Sequence, residues 1–180
     1  AAAPLPQPTG FINDYAGVLN AGVRGQLEAI AVELKQKTKA EVAVAVVKSL
    51  EGDSVENYAN VLAEQWGVGD EEDRGVLLLL AIDDRKLRIE VGYGIEPILP
   101  DGRAGEIREQ MRPALQAGDY DRAVEIGFLA IAQVVADDAG IKLAGAPTTQ
   151  RTQRRRRRSR GLLGLWPLIL FLPFLFGRRG

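Results

Sequence analysis

The chain has 180 residues, of which 26% are charged and 46% are hydrophobic, a composition typical of a folded globular domain. It contains no His and no Cys, which excludes Ser-His-Asp triads, cysteine nucleophiles and the usual zinc sites, because each needs an imidazole or a thiolate. Any bound metal must therefore accept oxygen ligands, which favours Ca²⁺ or Mg²⁺ over softer metals.

The formal net charge of −1 is the sum of two regions of opposite charge. Residues 1–150 contain 14 basic and 24 acidic residues and so carry −10. Residues 151–180 contain nine Arg and no acidic residue, and so carry +9. The sequence therefore predicts an acidic domain followed by a basic tail.

The first ten residues are rich in Pro and too short to fold, so we expect residues 1–10 to be disordered. Small residues at the start of a chain are typical of the mature end that remains after a signal peptide is removed. A start introduced for expression is the alternative. This feature favours export.

Between residues 20 and 82 the apolar pattern predicts two helices that alternate with two strands. The first helix begins after Asn20, a suitable N-cap, and is followed by Glu41–Val47, which is apolar on both faces and is typical of a buried strand. Asp53 and Glu56 have capping-box spacing and open the second helix. The second buried strand covers residues 75–82.

Residues 87–91 alternate apolar and charged side chains, which predicts a third strand at an edge of the sheet. Asp101 is a suitable cap for a third helix, and a break at residues 118–119 precedes a fourth helix that ends near Ala136. This order of elements predicts an α/β fold, a three-layer α/β/α sandwich around a mixed central sheet of three to four strands.

The predicted topology brings carboxylates together at one edge of the sheet. Two strands joined through a helix are parallel by the usual right-handed crossover, so their carboxyl ends lie at the same edge. Asp83 and Asp84 follow the second strand, and the start of the first helix brings Asp14 to the same edge. Three carboxylates there would bind a hard cation, alone or bridged to a phosphate. Turn formation is the alternative role of all three.

Two further acidic residues, Glu96 and Asp101, follow the third strand and are expected at the opposite edge, beside the charged loop 70–73. The ten-residue loop 92–101 is long enough to reach across to the other edge. The alternative role of Asp101 is that of N-cap to the third helix.

Residues 162–176 carry no charge, and twelve of these fifteen residues are Leu, Ile, Phe or Trp. A helix of this length spans about 22 Å, less than the roughly 30 Å of a bilayer core. Flanking arginines would snorkel to the headgroups and lengthen the effective span. We therefore predict that residues 161–177 associate with a membrane.

The arginine run at residues 154–158 is compatible with nucleic acid, with anionic lipid headgroups or with a role in topology. No aromatic residues interleave with it to stack on bases, and the apolar segment follows closely, so we expect a membrane partner and no nucleic acid. The positive-inside rule places the preceding domain in the cytoplasm, whereas the start of the chain favours export. Both topologies stay open on these grounds.

The chain resembles the TPM-domain family, which is named for members from the thylakoid lumen, members that act in photosystem II repair and members that modulate acetylcholine receptors. The resemblance covers about residues 11–136 and rests on an ordered set of motifs. They are segments 12–19 (Ile-Asn-Asp-Tyr-Ala-Gly-Val-Leu), 54–69 (ending in Trp-Gly-Val-Gly), 75–86, 88–96, Asp101 and 118–120 (Gly-Asp-Tyr).

The resemblance implies an α/β/α sandwich and, in bacterial members, a signal peptide, an extracytoplasmic domain and a following transmembrane segment. It divides the chain into an N-terminal tail (1–10), a TPM domain (11–138), a linker with the arginine run (139–160), a membrane segment (161–177) and a basic end (178–180). Some members bind Ca²⁺, and one plant member has acid phosphatase activity. At the matching positions, the resemblance implies these metal ligands for Ca²⁺ or Mg²⁺: Asp14, Asp83, Asp84, Glu96 and Asp101.

The leading hypothesis is a membrane-anchored TPM domain, periplasmic or at the cell surface, that binds a divalent cation and serves in envelope maintenance or assembly with an envelope protein partner. A metal-assisted acid phosphatase acting on phosphomonoesters is the first alternative. A protein-interaction module that uses its acidic surface is the second.

Overall fold

The computed structural model describes residues 5–69 and 72–144 of the chain, which form a four-stranded sheet and four α-helices. In chain order the elements are β1 (Ile12–Asp14), α1 (Ala21–Thr38), β2 (Glu41–Val47), α2 (Val55–Trp66), β3 (Gly75–Ala81), β4 (Lys86–Val91), α3 (Asp101–Gln116) and α4 (Tyr120–Asp138).

The strands are arranged in the order β1-β2-β3-β4, and the sheet is mixed. β1, β2 and β3 run parallel, while β4 returns antiparallel to β3 through a tight turn. We call the edge at which β1, β2 and β3 end, at Asp14, Val47 and Ala81, the carboxyl edge. The turn from β3 to β4 lies at this edge as well.

β2 and β3 are buried on both faces, as their continuous apolar sequences predict. Alternate residues such as Val44 and Leu78 pack with α1, α3 and α4 on one face of the sheet. The residues between them, such as Ala45 and Leu79, pack with α2 on the other face. The predicted α/β fold with helices on both faces of the sheet is therefore confirmed.

Strand β1 is an addition to the predicted elements. It has only three residues and contains the polar pair Asn13-Asp14, so no apolar alternation marks it in the sequence. Its stability comes from distant groups, because the backbone amides of Phe11 and Ile12 donate to the carboxylate of Glu28 on α1 at 2.8–3.0 Å.

The caps of two helices differ from the prediction. Ser54, rather than Asp53, accepts from the amide of Asn57 at 3.1 Å and so caps α2. Asp101 is the first residue of α3 rather than its cap, since Pro100 precedes the helix and provides no side-chain hydrogen bond. The predicted capping role of Asp101 was therefore wrong, and its exposed carboxylate stabilises the positive end of the helix dipole instead.

The described chain after α4 is attached to α1. The amide of Ala144 donates to the Glu33 carboxylate at 3.0 and 3.1 Å, and Lys37 forms an ion pair with the same carboxylate at 2.6 Å. The hydrogen bond from Lys37, followed by that from the Ala144 amide, lowers the pKa of Glu33. These contacts hold the end of the described chain against α1.

Within residues 5–69 and 72–144, none of the helices is both long enough and apolar enough to cross a membrane. The predicted membrane segment (161–177), the arginine run (154–158) and the basic end (178–180) lie outside the described residues.

Candidate functional site at the carboxyl edge

Three of the five predicted metal ligands lie at the carboxyl edge. Asp14 ends β1, and Asp83 and Asp84 lie in the turn between β3 and β4. Because β4 runs antiparallel to β3, the residues that follow it lie at the opposite edge of the sheet. Glu96 and Asp101 line a common cavity there. The predicted ligands therefore fall into two separate groups.

Asp14 closes the turn that leads from β1 into α1. One of its carboxylate oxygens accepts from the amide of Gly17 and the other accepts from the amide of Leu19, both at 2.8 Å. Such paired contacts are typical of Asp in turns. Turn formation, the alternative to metal binding, thus accounts for both oxygens of Asp14.

Asp83 and Asp84 have different surroundings although they are neighbours in the chain. Asp84 accepts from the amide of Leu50 at 2.8 Å and so fastens the β3–β4 turn to the loop after β2. The backbone amide of Asp83 donates to the Lys48 carbonyl at 2.8 Å. Its exposed carboxylate makes no hydrogen bond or ion pair in the described part of the chain, and is therefore available to a ligand from solution.

Among the described residues, no group of three or more acidic side chains lies close enough together to hold a metal ion. A cation at the carboxyl edge would therefore have one or two carboxylate ligands and would keep several waters. This is the usual coordination of Mg²⁺ at sites that it shares with substrate phosphates. The pair Asp83-Asp84 fits that chemistry, whereas a closed cage of protein oxygens does not form there.

The carboxyl edge also carries a cleft of about 650 Å³ between the β3–β4 turn and α3. We call it the basic cleft, since it is lined by Arg85 from the turn, by Lys86 at the start of β4 and by Arg108 and Arg112 from α3. Its volume lies within the range of about 300–1,000 Å³ that is typical of small-molecule sites. The cleft was not predicted from the sequence, although the spacing of four between the two α3 arginines places them on one face of a helix.

A third cavity lies beside α2 and is lined by the aromatic rings of Tyr15 and Tyr58. Burial raises the pKa of both hydroxyls, and the charge of Glu51 adds to the effect at Tyr58, so both stay protonated at neutral pH. The hydroxyl of Tyr15 donates to the Gln7 carbonyl at 2.5 Å, and the Trp66 indole donates to the Pro6 carbonyl at 2.8 Å. These bonds hold the N-terminal segment over α2.

This chain is similar to a known protein family and to several solved structures. The family profile described as the TPM domain matches residues 12–134, nearly all of the described domain. The solution NMR structure of the N-terminal domain of a protein from P. gingivalis is 32% identical in sequence, with a TM-score of 0.68. That match covers 74% of this chain and 86% of the other.

Two other solution structures share the fold at lower identity. The N-terminal domain of a protein from Corynebacterium glutamicum is 15% identical, with a TM-score of 0.55 and coverage of 83% of this chain and 90% of that one. A protein from the psychrophilic bacterium Bizionia argentinensis is 18% identical, with a TM-score of 0.58 and coverage of 74% and 96%. No match was found among the curated proteins. The family profile and the P. gingivalis structure confirm the resemblance in the sequence motifs, and the chain belongs to the TPM-domain family.

Proposed function

We propose that the domain binds a hydrated divalent cation, Mg²⁺ or Ca²⁺, through Asp83 and Asp84 at the carboxyl edge. The observation that carries the proposal is the exposed Asp83 carboxylate, which has no partner in the described part of the chain. It lies next to Asp84, whose orientation is fixed by the Leu50 amide. One free and one oriented carboxylate on a tight turn suit a cation that keeps most of its waters.

The remaining predicted ligands have other roles in this proposal. Asp14 is not a ligand in this proposal, since both of its carboxylate oxygens already accept backbone hydrogen bonds. It contributes only negative charge to the carboxyl edge. Glu96 and Asp101 lie at the opposite edge and do not share the ion. With so few protein ligands, we expect a dissociation constant on the order of 10⁻⁴–10⁻³ M, the range of extracellular Ca²⁺ modules.

We expect millimolar Mg²⁺ or Ca²⁺ to shift the backbone amide resonances of the β3–β4 turn in NMR spectra of the full chain. The shifts should disappear in the double variant Asp83→Asn/Asp84→Asn, which retains the acceptor for the Leu50 amide but removes both charges. Asp138→Asn is the matched control, because this exposed carboxylate at the end of α4 lies on another element. Absence of localised shifts, or equal shifts in the double variant, would contradict the proposal.

We further propose that the domain is held at a membrane by residues 161–177, on the extracytoplasmic side, where it serves in envelope maintenance or assembly with a protein partner. The uncharged apolar segment at 162–176 and its flanking arginines support attachment to the membrane. Membership of a family whose bacterial members carry an extracytoplasmic domain supports the side. Added protease should cleave the domain in intact cells or spheroplasts. If the domain is protected from protease until the cells are lysed, it lies in the cytoplasm, and this part of the proposal is wrong.

A further inference from the structure

The basic cleft concentrates positive charge on an otherwise acidic domain. Residues 1–150 contain 14 basic residues against 24 acidic ones, yet four of those 14 line this cleft. Glu109 is the one acidic residue among those that line the cleft, which leaves a net charge of +3. Random placement of basic residues on a domain of charge −10 would not favour four of them at one cavity.

The cations of the cleft are mostly without counterions. Arg112 pairs with Glu109. In the described part of the chain, the side chains of Arg85, Lys86 and Arg108 make no hydrogen bond or ion pair. Elsewhere in the described chain, some cations have acidic partners, as in Lys35–Glu41 and Lys37–Glu33, and others such as Arg24 and Lys48 have none. The cleft differs because it brings three unpaired cations to one cavity. Like charges that converge without a counterion repel one another, and a bound anion would relieve that repulsion.

The backbone at Arg85 supports a role for its side chain. Arg85 has a φ of 52°, in the left-handed region, where a residue with a Cβ costs roughly 1–2 kcal/mol. Gly, Asn or Asp would suit this turn position better on local grounds. The turn thus carries a guanidinium that lines the cleft, despite a conformational cost.

The lining of the cleft is partly apolar. Leu80, Leu87 and Leu115 line it together with Tyr120. A ligand that contacts both the basic and the apolar side chains therefore has an anionic head and an apolar body. An isolated, strongly hydrated anion would contact only the basic side chains.

We propose that the basic cleft binds a phosphate group carried on an apolar body. Guanidinium groups donate in a planar fork that matches two phosphate oxygens. Arg85 and Arg108 bring unpaired guanidinium groups to the cleft, and Arg112, which pairs with Glu109, lines it as well. Lys86 adds a point charge. Binding alone is proposed, with no bond made or broken, and it needs no metal ion. A lipid headgroup and a soluble phosphorylated compound share this chemistry.

The test is an NMR titration of the full chain with inorganic phosphate, phenyl phosphate and monomeric short-chain phosphatidic acid. We expect localised shifts at residues of the basic cleft with each probe. The two probes that have an apolar body should bind at least ten-fold more tightly than inorganic phosphate. The tighter of the two identifies the source, lipid or soluble. Equal affinity for inorganic phosphate, or equal shifts with acetate, would overturn the proposal.

Three variants separate binding from folding. Arg108→Gln/Arg112→Gln should weaken phenyl phosphate binding at least ten-fold. Arg85→Gly should weaken it too while leaving the urea midpoint equal or higher, since Gly relieves the left-handed conformation. Arg103→Gln, on the same helix but outside the cleft, should leave affinity unchanged. Unchanged affinity in both cleft variants, or an equal loss in the Arg103 variant, would refute the assignment.

Discussion

Replacing Gly75 with Ala is expected to lower the free energy of unfolding by about 3 kcal/mol or more. Gly75 is the buried first residue of β3, and an added Cβ would lie 2.3 Å from the carbonyl oxygen of Val68 and 2.7 Å from the amide nitrogen of Gly69. These are backbone atoms, so no flexible side chain can move aside. The backbone of the loop or of the strand would have to shift. Urea denaturation followed by circular dichroism measures the change.

Gly25→Ala is the matched control for this substitution. Gly25 is exposed within α1, and an added Cβ would have nothing within 4 Å. Because Ala favours the helix more than Gly, we expect a gain of up to about 1 kcal/mol. Similar losses at the two positions would contradict the explanation from close backbone approach.

The same close approach explains several glycines of the family motifs. An added Cβ at Gly69 would lie 2.3 Å from the nitrogen of Gly75, and one at Gly92 would lie 2.3 Å from the Asp73 carbonyl oxygen. Gly94 approaches the Glu72 carbonyl oxygen in the same way, at 2.5 Å. These glycines let the loop before β3 pack directly against the ends of β3 and β4. Their role is in packing.

Replacing Asn13 with Ala is expected to cost about 2–3 kcal/mol, the penalty for leaving buried polar groups without partners. Asn13 is 1% exposed and is the buried polar residue of the described core. Its side-chain oxygen accepts from the amide of Thr9 at 2.8 Å and from the Thr9 hydroxyl at 3.2 Å. Its amide group donates to the carbonyls of Gly10 at 2.8 Å and Val44 at 3.3 Å. Ala removes all four bonds.

Urea denaturation and hydrogen exchange at β1 test this expectation, because the lost bonds join β1 to the segment before it and to β2. Asn57→Ala provides the comparison. Asn57 is exposed on α2, where its amide donates to Asp53, and its loss should change stability by no more than about 0.5 kcal/mol. Equal small effects at both positions would show that the buried network contributes little.

The central strands and the order of the helices could be predicted because their signals are local. Glu41–Val47 is apolar at nearly every position, and Asn20 caps α1 as expected, accepting from the amide of Gly22. β1 could not be predicted, since its stabilising partner Glu28 lies 16 residues away from Ile12. The role of Asp101 could not be predicted either, because an acidic residue suits both the cap and the first turn of a helix.

The candidate site could be predicted only in part. The right-handed crossover was enough to place Asp83 and Asp84 at the carboxyl edge. The basic cleft could not be predicted in this way, because it joins the β3–β4 turn to α3, which begins only at Asp101. In the sequence, Arg108 and Arg112 lie on either side of Glu109, and such mixed charges are typical of a solvated helix face. Packing of α3 against the sheet brings them to Arg85 and Lys86.

The contact between Glu28 and β1 has a consequence for the behaviour of the domain at high concentration. An exposed strand edge offers free amides to another chain and so promotes aggregation. Here the amides of Phe11 and Ile12 are already occupied by a carboxylate of the same molecule. At the other edge of the sheet, β4 carries Arg88 and Glu90, which disfavour addition of a foreign strand. Both outer strands are therefore protected against growth of the sheet from one molecule into the next.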